Sequence, residues 1–194
     1  MANIINAYTT LKQADFTILH QGTTTITDMT NSIYMNAVAP TTAGIVMLAK
    51  DVPTAPYSFT VHINKWTGLG QEWDYGLALR DSASDKHSTL MVDTGVASSG
   101  IFVSTWSAWN VYAATQKTQS CGTIYPGPTW FRIIDDGVNR KTYLSPDGSS
   151  WLLFYSEGRT TYLTPNQIGF FICPWGTTGN IAVTIDHFKV DYSG

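Results

Sequence analysis

The chain has 194 residues and a formal net charge of −3, and only 13% of its side chains are charged against 43% apolar. It has no Lys/Arg run, so it lacks the cationic footprint that nucleic acid demands, and no apolar run reaches the ~18–20 residues of a membrane-spanning helix. Charge this far below the usual ~25% leaves a surface built from Thr, Ser, Asn, Gly and aromatic rings.

Residues 1–14 are polar and weakly patterned, an arm or an edge strand ahead of a single domain over 15–194. The opening MANIINAYTTLKQADF has no basic stretch followed by an apolar one, so the expectation is a protein made in the cytoplasm without a secretory leader. Asp15–His20 reads as a short strand ended by Gly22. Thr23–Thr30 and Ile33–Val38 follow with Thr-rich alternation, then the apolar run Ile45–Lys50 and a Pro-marked loop at 52–56. Tyr57–Asn64 alternates strictly: Tyr57, Phe59, Val61 and Ile63 share one face, and Ser58, Thr60, His62 and Asn64 share the other. Period two places one face on a core and the other toward solvent or a partner.

Residues 66–73 read as a Gly-rich loop carrying Trp66 and Trp73. Tyr75–Arg80 and His87–Asp93 are strands joined by a polar turn through Ser82–Asp85, and Ile101–Trp106 and Trp109–Thr115 are strands around Ser107. After a Gly/Pro loop at Cys121–Pro128, residues 130–171 alternate short apolar runs with turn signals at Asp136-Gly137, Ser145-Pro-Asp-Gly148 and Glu157-Gly158, an antiparallel meander. Trp175 lies in a loop, Pro174–Gly179. The last segment, Ile181–Val190, changes parity midway: Ile181, Val183 and Ile185 face one way, Phe188 and Val190 the other, and a bulge near Asp186-His187 restores one apolar face. No segment carries a 3.6-residue period, so the fold class is all-β: a two-sheet antiparallel β-sandwich of about 12–14 strands in jelly-roll style.

Two cysteines, Cys121 and Cys173, do not make a disulfide framework, and neither has a Cys or His at metal-ligand spacing. The reading is two reduced thiols, no metal and no cofactor. His20, His62, His87 and His187 are scattered over different strands, and no G-x-S-x-G elbow marks a nucleophile. Asp135-Asp136 could suggest a cation, but Asp before Gly137 is ordinary turn chemistry. Seven Trp and ten Tyr make the chain aromatic-rich, and rings in loops suit sugar stacking or partner contact. The candidate binding residues are Trp66, Trp73, Trp106, Trp109 and Trp175; Trp130 and Trp151, in the meander, read as core caps.

Three pieces resemble the concanavalin A-like lectin/glucanase superfamily (laminin G-like domains included). Tyr75-Gly-Leu-Ala-Leu-Arg80-Asp81 is similar to its central G-x-x-L-R-D strand. Tyr143-Leu-Ser-Pro-Asp-Gly-Ser-Ser-Trp151 is similar to its Y-x-S-x-D-G-x-x-W hairpin, and Ile185–Val190 to its closing x-D-x-F-x-V strand. A narrower likeness, through Phe102–Trp109, Trp130–Arg140 and Gly158–Phe170, is to phage and prophage virion proteins carrying this domain. The glucanases it resembles use E-x-D-x-x-E, whereas this chain has Glu72-x-Asp74-x-x-Leu77, with the last acid replaced by Leu; Glu157 reads as a hairpin-turn residue. The resemblance therefore implies a non-enzymatic virion structural protein, on capsid or tail. Its expected partners are other virion proteins and further copies of itself, with host-surface glycan as an added contact. The alternatives are a free carbohydrate-binding module and, more remotely, a glycosidase.

Overall fold

The computed structural model describes residues 11–38, 44–70, 73–94, 99–120, 129–174 and 179–191, of which 65–70 and 179 are described by backbone only. The predicted loop Cys121–Pro128 and Trp175 lie outside these residues, as do Glu72 and most of the predicted N-terminal arm.

The described strands form two antiparallel sheets of seven. One, sheet A, comprises β1 (Thr17–Leu19), β4 (Val46–Asp51), β13 (Gln167–Pro174), β6 (Trp73–Asp81), β7 (Lys86–Asp93), β8 (Gly100–Ala108) and β9 (Val111–Ser120), in that spatial order. The other, sheet B, runs β12 (Leu152–Gly158), β11 (Asn139–Ser145), β10 (Trp130–Asp135), β5 (Tyr57–Gly70), β14 (Gly179–Asp191), β3 (Ile33–Val38) and β2 (Thr25–Asp28). Among the described residues there is no α-helix; a single 3-10 turn, Gln13–Asp15, stands where the arm was expected to meet the sandwich.

The main core lies between the sheets. A row across sheet A, Leu48–Phe170–Leu77–Leu90–Val103, meets Phe59, Val61, Phe131, Ile133 and Phe188 of sheet B. Phe188 takes Phe59 edge-on at a centroid distance of 4.5 Å and Phe16 at 4.9 Å, the offset that ring quadrupoles favour. Tyr57, Phe59, Val61 and Ile63 are buried as their alternation requires. In β14 the pairing with β5 shifts between Ile185 and His187, so Asp186 is the extra residue. That bulge puts Ile181, Val183, Ile185, Phe188 and Val190 all in the core.

Sheet A is apolar on both faces. The row of opposite parity, Met47–Phe171–Gly76–Met91–Phe102, points away from sheet B, yet Met47, Phe171 and Met91 are buried, together with Ile45, Ala49, Ala78, Trp106 and Cys173. This explains why β4 and β13 read as continuous apolar runs: a strand covered on both sides has no face to give to polar residues. At Gly76 there is no room for a side chain, because a Cβ would lie 2.1 Å from the Leu90 carbonyl oxygen of the next strand.

Several local expectations are corrected. The Gly-rich segment after Asn64 is no loop: β5 continues through Gly70, where Gly68 and Gly70 pair with Ile181 and Gly179. Backbone ladders do not require side chains, so an extended partner strand carries glycines that composition alone assigns to a turn. Glu157 is not a turn residue. It lies in β12, half-buried, 2.8 Å from Nη2 of the wholly buried Arg140. The Asp135-Asp136 turn is as expected. Asp136 Oδ1 accepts the N–H groups of Val138 and Asn139, and its Oδ2 accepts Lys141 Nζ; Asp135 Oδ1 accepts the Gly137 N–H, and its Oδ2 accepts Arg159 Nε.

Candidate functional site

The five candidate tryptophans do not form one site. Trp73 is wholly buried in the main core, and Trp106 is wholly buried on the far face of sheet A with its Nε1–H donated to Thr89 Oγ1 at 3.3 Å. Neither ring meets solvent, which overturns the expectation of a stacking role for these two. Each sits on a strand at a parity that faces apolar neighbours, whereas the sequence placed Trp73 in a loop and Trp106 at a strand's end. The side chains of Trp66 and Trp175 are outside the described residues. Trp109 is half-buried in the β8–β9 hairpin and stacks on His20, with centroids 4.8 Å apart and planes 9° from parallel. Gly44 lies against the same indole, so close that a Cβ there would fall 2.1 Å from Cζ3.

Around Trp109 the fold gathers groups from distant parts of the chain. Asp85 ends the β6–β7 turn and His87 is the second residue of β7, where it is the cross-strand neighbour of Trp106. His20 follows β1. Asp85 Oδ1 accepts Arg80 Nε at 2.8 Å and lies 3.5 Å from His20 Nε2, and its Oδ2 accepts the Trp109 N–H at 3.2 Å. Arg80 also donates to Gln167 Oε1 at 2.5 Å. Burial opposes the charge on Asp85, but Arg80 and the Trp109 N–H more than offset it and hold the carboxyl below its usual range. His87 is wholly buried, and neither ring nitrogen makes a well-formed hydrogen bond, with only a weak interaction with the Asp85 backbone; a buried polar group left unpaired costs about 1–3 kcal/mol. Burial pushes its imidazole down to about 4, against the pull of Asp85, so the ring is neutral at pH 7. Among the described residues, His20 and Asp85 are the two non-glycines with positive φ, 55° and 57°. Backbone strain of that kind collects where the surrounding structure holds a constellation in place.

A second group crosses the outer face of sheet B, the face that Ser58, Thr60, His62 and Asn64 were expected to present. Trp130, His62 and His187 are successive cross-strand neighbours. Trp130 stacks on His62 at 4.5 Å and meets His187 at 4.9 Å. Asp186, the bulge residue, accepts from Asn64 Nδ2 at 3.1 Å and lies 2.5 Å from His62 Nδ1. One row along, the Arg132 guanidinium lies 3.8 Å from the Trp151 ring centre, and its Nε donates to Thr60 Oγ1 at 2.9 Å. Trp130 and Trp151 are therefore not core caps. In β10 the inward residues are Phe131, Ile133 and Asp135, which leaves Trp130 and Arg132 on the outside, half-buried. The expectation of core caps rested on the place of these two residues in the meander and not on the parity of their strands.

Glycosidase chemistry finds no support in β6. Leu77, where the resemblance would place an acid, is buried in the main core between the sheets.

No protein-family model matches the sequence, and no characterised protein matches it. Solved structures match its fold. A functionally unknown protein from Saccharomyces cerevisiae superposes with TM-score 0.67 at 12% identity, over 95% of this chain and 100% of that one. The carbohydrate-binding module CBM66 from Bacillus subtilis gives 0.56 at 12% identity, over 98% of each chain. The CBM2 module of the Lactobacillus casei BL23 phage J-1 evolved Dit gives 0.58 at 12% identity, over 87% of this chain and 79% of that one. The chain is thus a two-sheet antiparallel β-sandwich of the architecture those modules share.

Proposed function

We propose that this chain is a non-enzymatic, glycan-contacting β-sandwich of the concanavalin A-like kind, carried on a phage particle. The observation that carries the glycan reading is the aromatic and polar row on the outer face of sheet B. Indole and imidazole rings stand beside planar hydrogen-bonding groups, Asn64, Asp186 and Arg132, on a face the core does not need. Sugars are held by that combination: C–H faces on rings, hydroxyls on carboxylate, amide and guanidinium groups. The fold likeness to a carbohydrate-binding module and to a module of a phage protein supports the same reading, as do the virion-like sequence stretches. On a glycan array the wild-type chain binds, and Trp151→Ala and Asp186→Ala each weaken binding at least tenfold. Absence of any glycan signal, or binding indifferent to both changes, rejects the reading.

A purely structural role in the particle is the second reading, favoured by the edge strands. β9 is exposed along nearly its whole length with a single charge, Lys117. Val111 and Tyr112 on it, and Leu152 and Leu153 on β12, are exposed. β8 and β12 line one small cavity, so β9 and β12 flank the same side of the sandwich. A long, weakly charged edge is a template for a neighbouring strand. Light scattering that shows an oligomer, dispersed by Tyr112→Lys with Leu152→Lys, supports this role, and absence from purified particles by mass spectrometry excludes it.

A further inference from the structure

We infer that His20, Asp85 and His87 form a binding site for one divalent transition-metal ion of the zinc class, at the rim of sheet A and independent of the glycan reading. Each of the three offers one ligand atom, and these atoms all lie within 4.8 Å of one another. Ligands at the ~2.0–2.2 Å typical of zinc sit about 3.3 Å apart on a tetrahedron. His20 Nε2 and Asp85 Oδ1, at 3.5 Å, already have that separation, so only His87 has to close in.

The second, independent observation is His87 itself. It is wholly buried, neither ring nitrogen makes a well-formed hydrogen bond, with only a weak interaction with the Asp85 backbone, and His20 Nε2 also lacks a hydrogen bond. A buried imidazole held by no well-formed hydrogen bond is an open ligand.

The surroundings hold the ligands as outer partners hold them in metal sites. Trp109 clamps the His20 ring face to face, and its backbone N–H fixes Asp85 Oδ2. Arg80, itself tied to Gln167, fixes Oδ1. A carboxylate has about four lone-pair sites, so these two donors leave room for an ion. Two imidazoles and one carboxylate select zinc, nickel or copper over calcium or magnesium, which take oxygen sets. His20 and Asp85 are 25% and 27% exposed while Nε2 of His20 is itself buried, so the cluster lies just beneath the surface.

The test uses the full chain stripped with EDTA and titrated with zinc chloride by calorimetry, with retained metal counted after dialysis. One zinc per chain is expected, with affinity falling at least tenfold in His20→Ala, unchanged in His62→Ala, and unaffected by excess calcium or magnesium. Circular dichroism checks that the variants fold. Imidazole ¹⁵N resonances of the wild-type chain give an answer free of any variant: zinc moves those of His20 and His87. No stoichiometric uptake, undiminished binding by folded His20→Ala, or movement of the His62 and His187 signals instead would overturn the site.

Discussion

His87 keeps an uncharged imidazole out of water, and that has a thermodynamic sign. In the unfolded chain its pKa is the ordinary 6.5; in the fold, burial lowers it to about 4, with Arg80 and His20 adding repulsion and Asp85 opposing. Between those values the unfolded state binds the extra proton. Stability from this group is therefore complete above pH 6.5 and is lost as pH falls toward 4. The shift corresponds to about 3 kcal/mol. Urea unfolding in EDTA at a series of pH values is expected to show that decline, and His87→Gln is expected to flatten it. Cys173 makes a second residue-scale prediction. Its thiol is free, wholly buried under the outer face of sheet A, and pushed well up by burial, with Asp74 adding to the shift. Thiolate is the reactive form, so in a Cys121→Ser background Cys173 should resist thiol reagents in the native state and react at once in denaturant.

At the scale of the element, the β14 bulge shows how one residue sets the facing of a strand. Deleting Asp186 joins Ile185 directly to His187, and period two then turns Phe188 and Val190 outward. Both are buried core residues, and at about 1.5–3 kcal/mol each the loss is about 3–6 kcal/mol, much of a small domain's stability. The deletion is expected to unfold the chain or lower its melting point sharply, whereas Asp186→Ala, which keeps the residue count, should melt near the wild type. The hairpin after β11 is a milder case. Gly148 has φ 75°, and a Cβ there would lie 2.9 Å from the Trp130 ring. The left-handed conformation costs a non-glycine roughly 1–2 kcal/mol, and the ring must shift as well. Gly148→Ala should therefore destabilise by at least that much and alter Trp130 fluorescence.

For the whole molecule, the sandwich is closed differently at its two sides. Phe16, Phe170 and Phe188 pack ring against ring beside the 3-10 turn, whereas β11 and β12 send Arg140 and Glu157 toward Leu79, Leu90 and Val103 of the opposite sheet. Burial raises the Glu157 carboxyl against the pull of Arg140. Removing one partner leaves a charge stranded, so Glu157→Ala should cost about 3–5 kcal/mol, while replacing both by apolar residues of similar volume should come close to neutral. Chemical denaturation of the two variants checks this, and a loss near zero in Glu157→Ala would show the pair to be solvated.

The alternation of Tyr57–Ile63, the turn chemistry of Asp136 and Ser145–Gly148, and the parity change in β14 were legible because each is local. A two-residue period, a proline or glycine at a turn position, or one extra residue acts on its own neighbours. The continuous apolar run of β4 was visible too, but what a doubly covered strand implies for Trp106 and Cys173 depends on which segments lie over that face. No spacing announced that His20 meets His87, since the two are 67 positions apart in the chain and β4, β13 and β6 lie between β1 and β7 in sheet A. Nor did any spacing show that Asp186 reaches His62 across a ladder. Period and turn chemistry belong to the sequence; cross-strand register and the pairing of distant strands belong to the tertiary structure, because hydrogen-bonded ladders bring together residues whose separation along the chain carries no information about their distance in space.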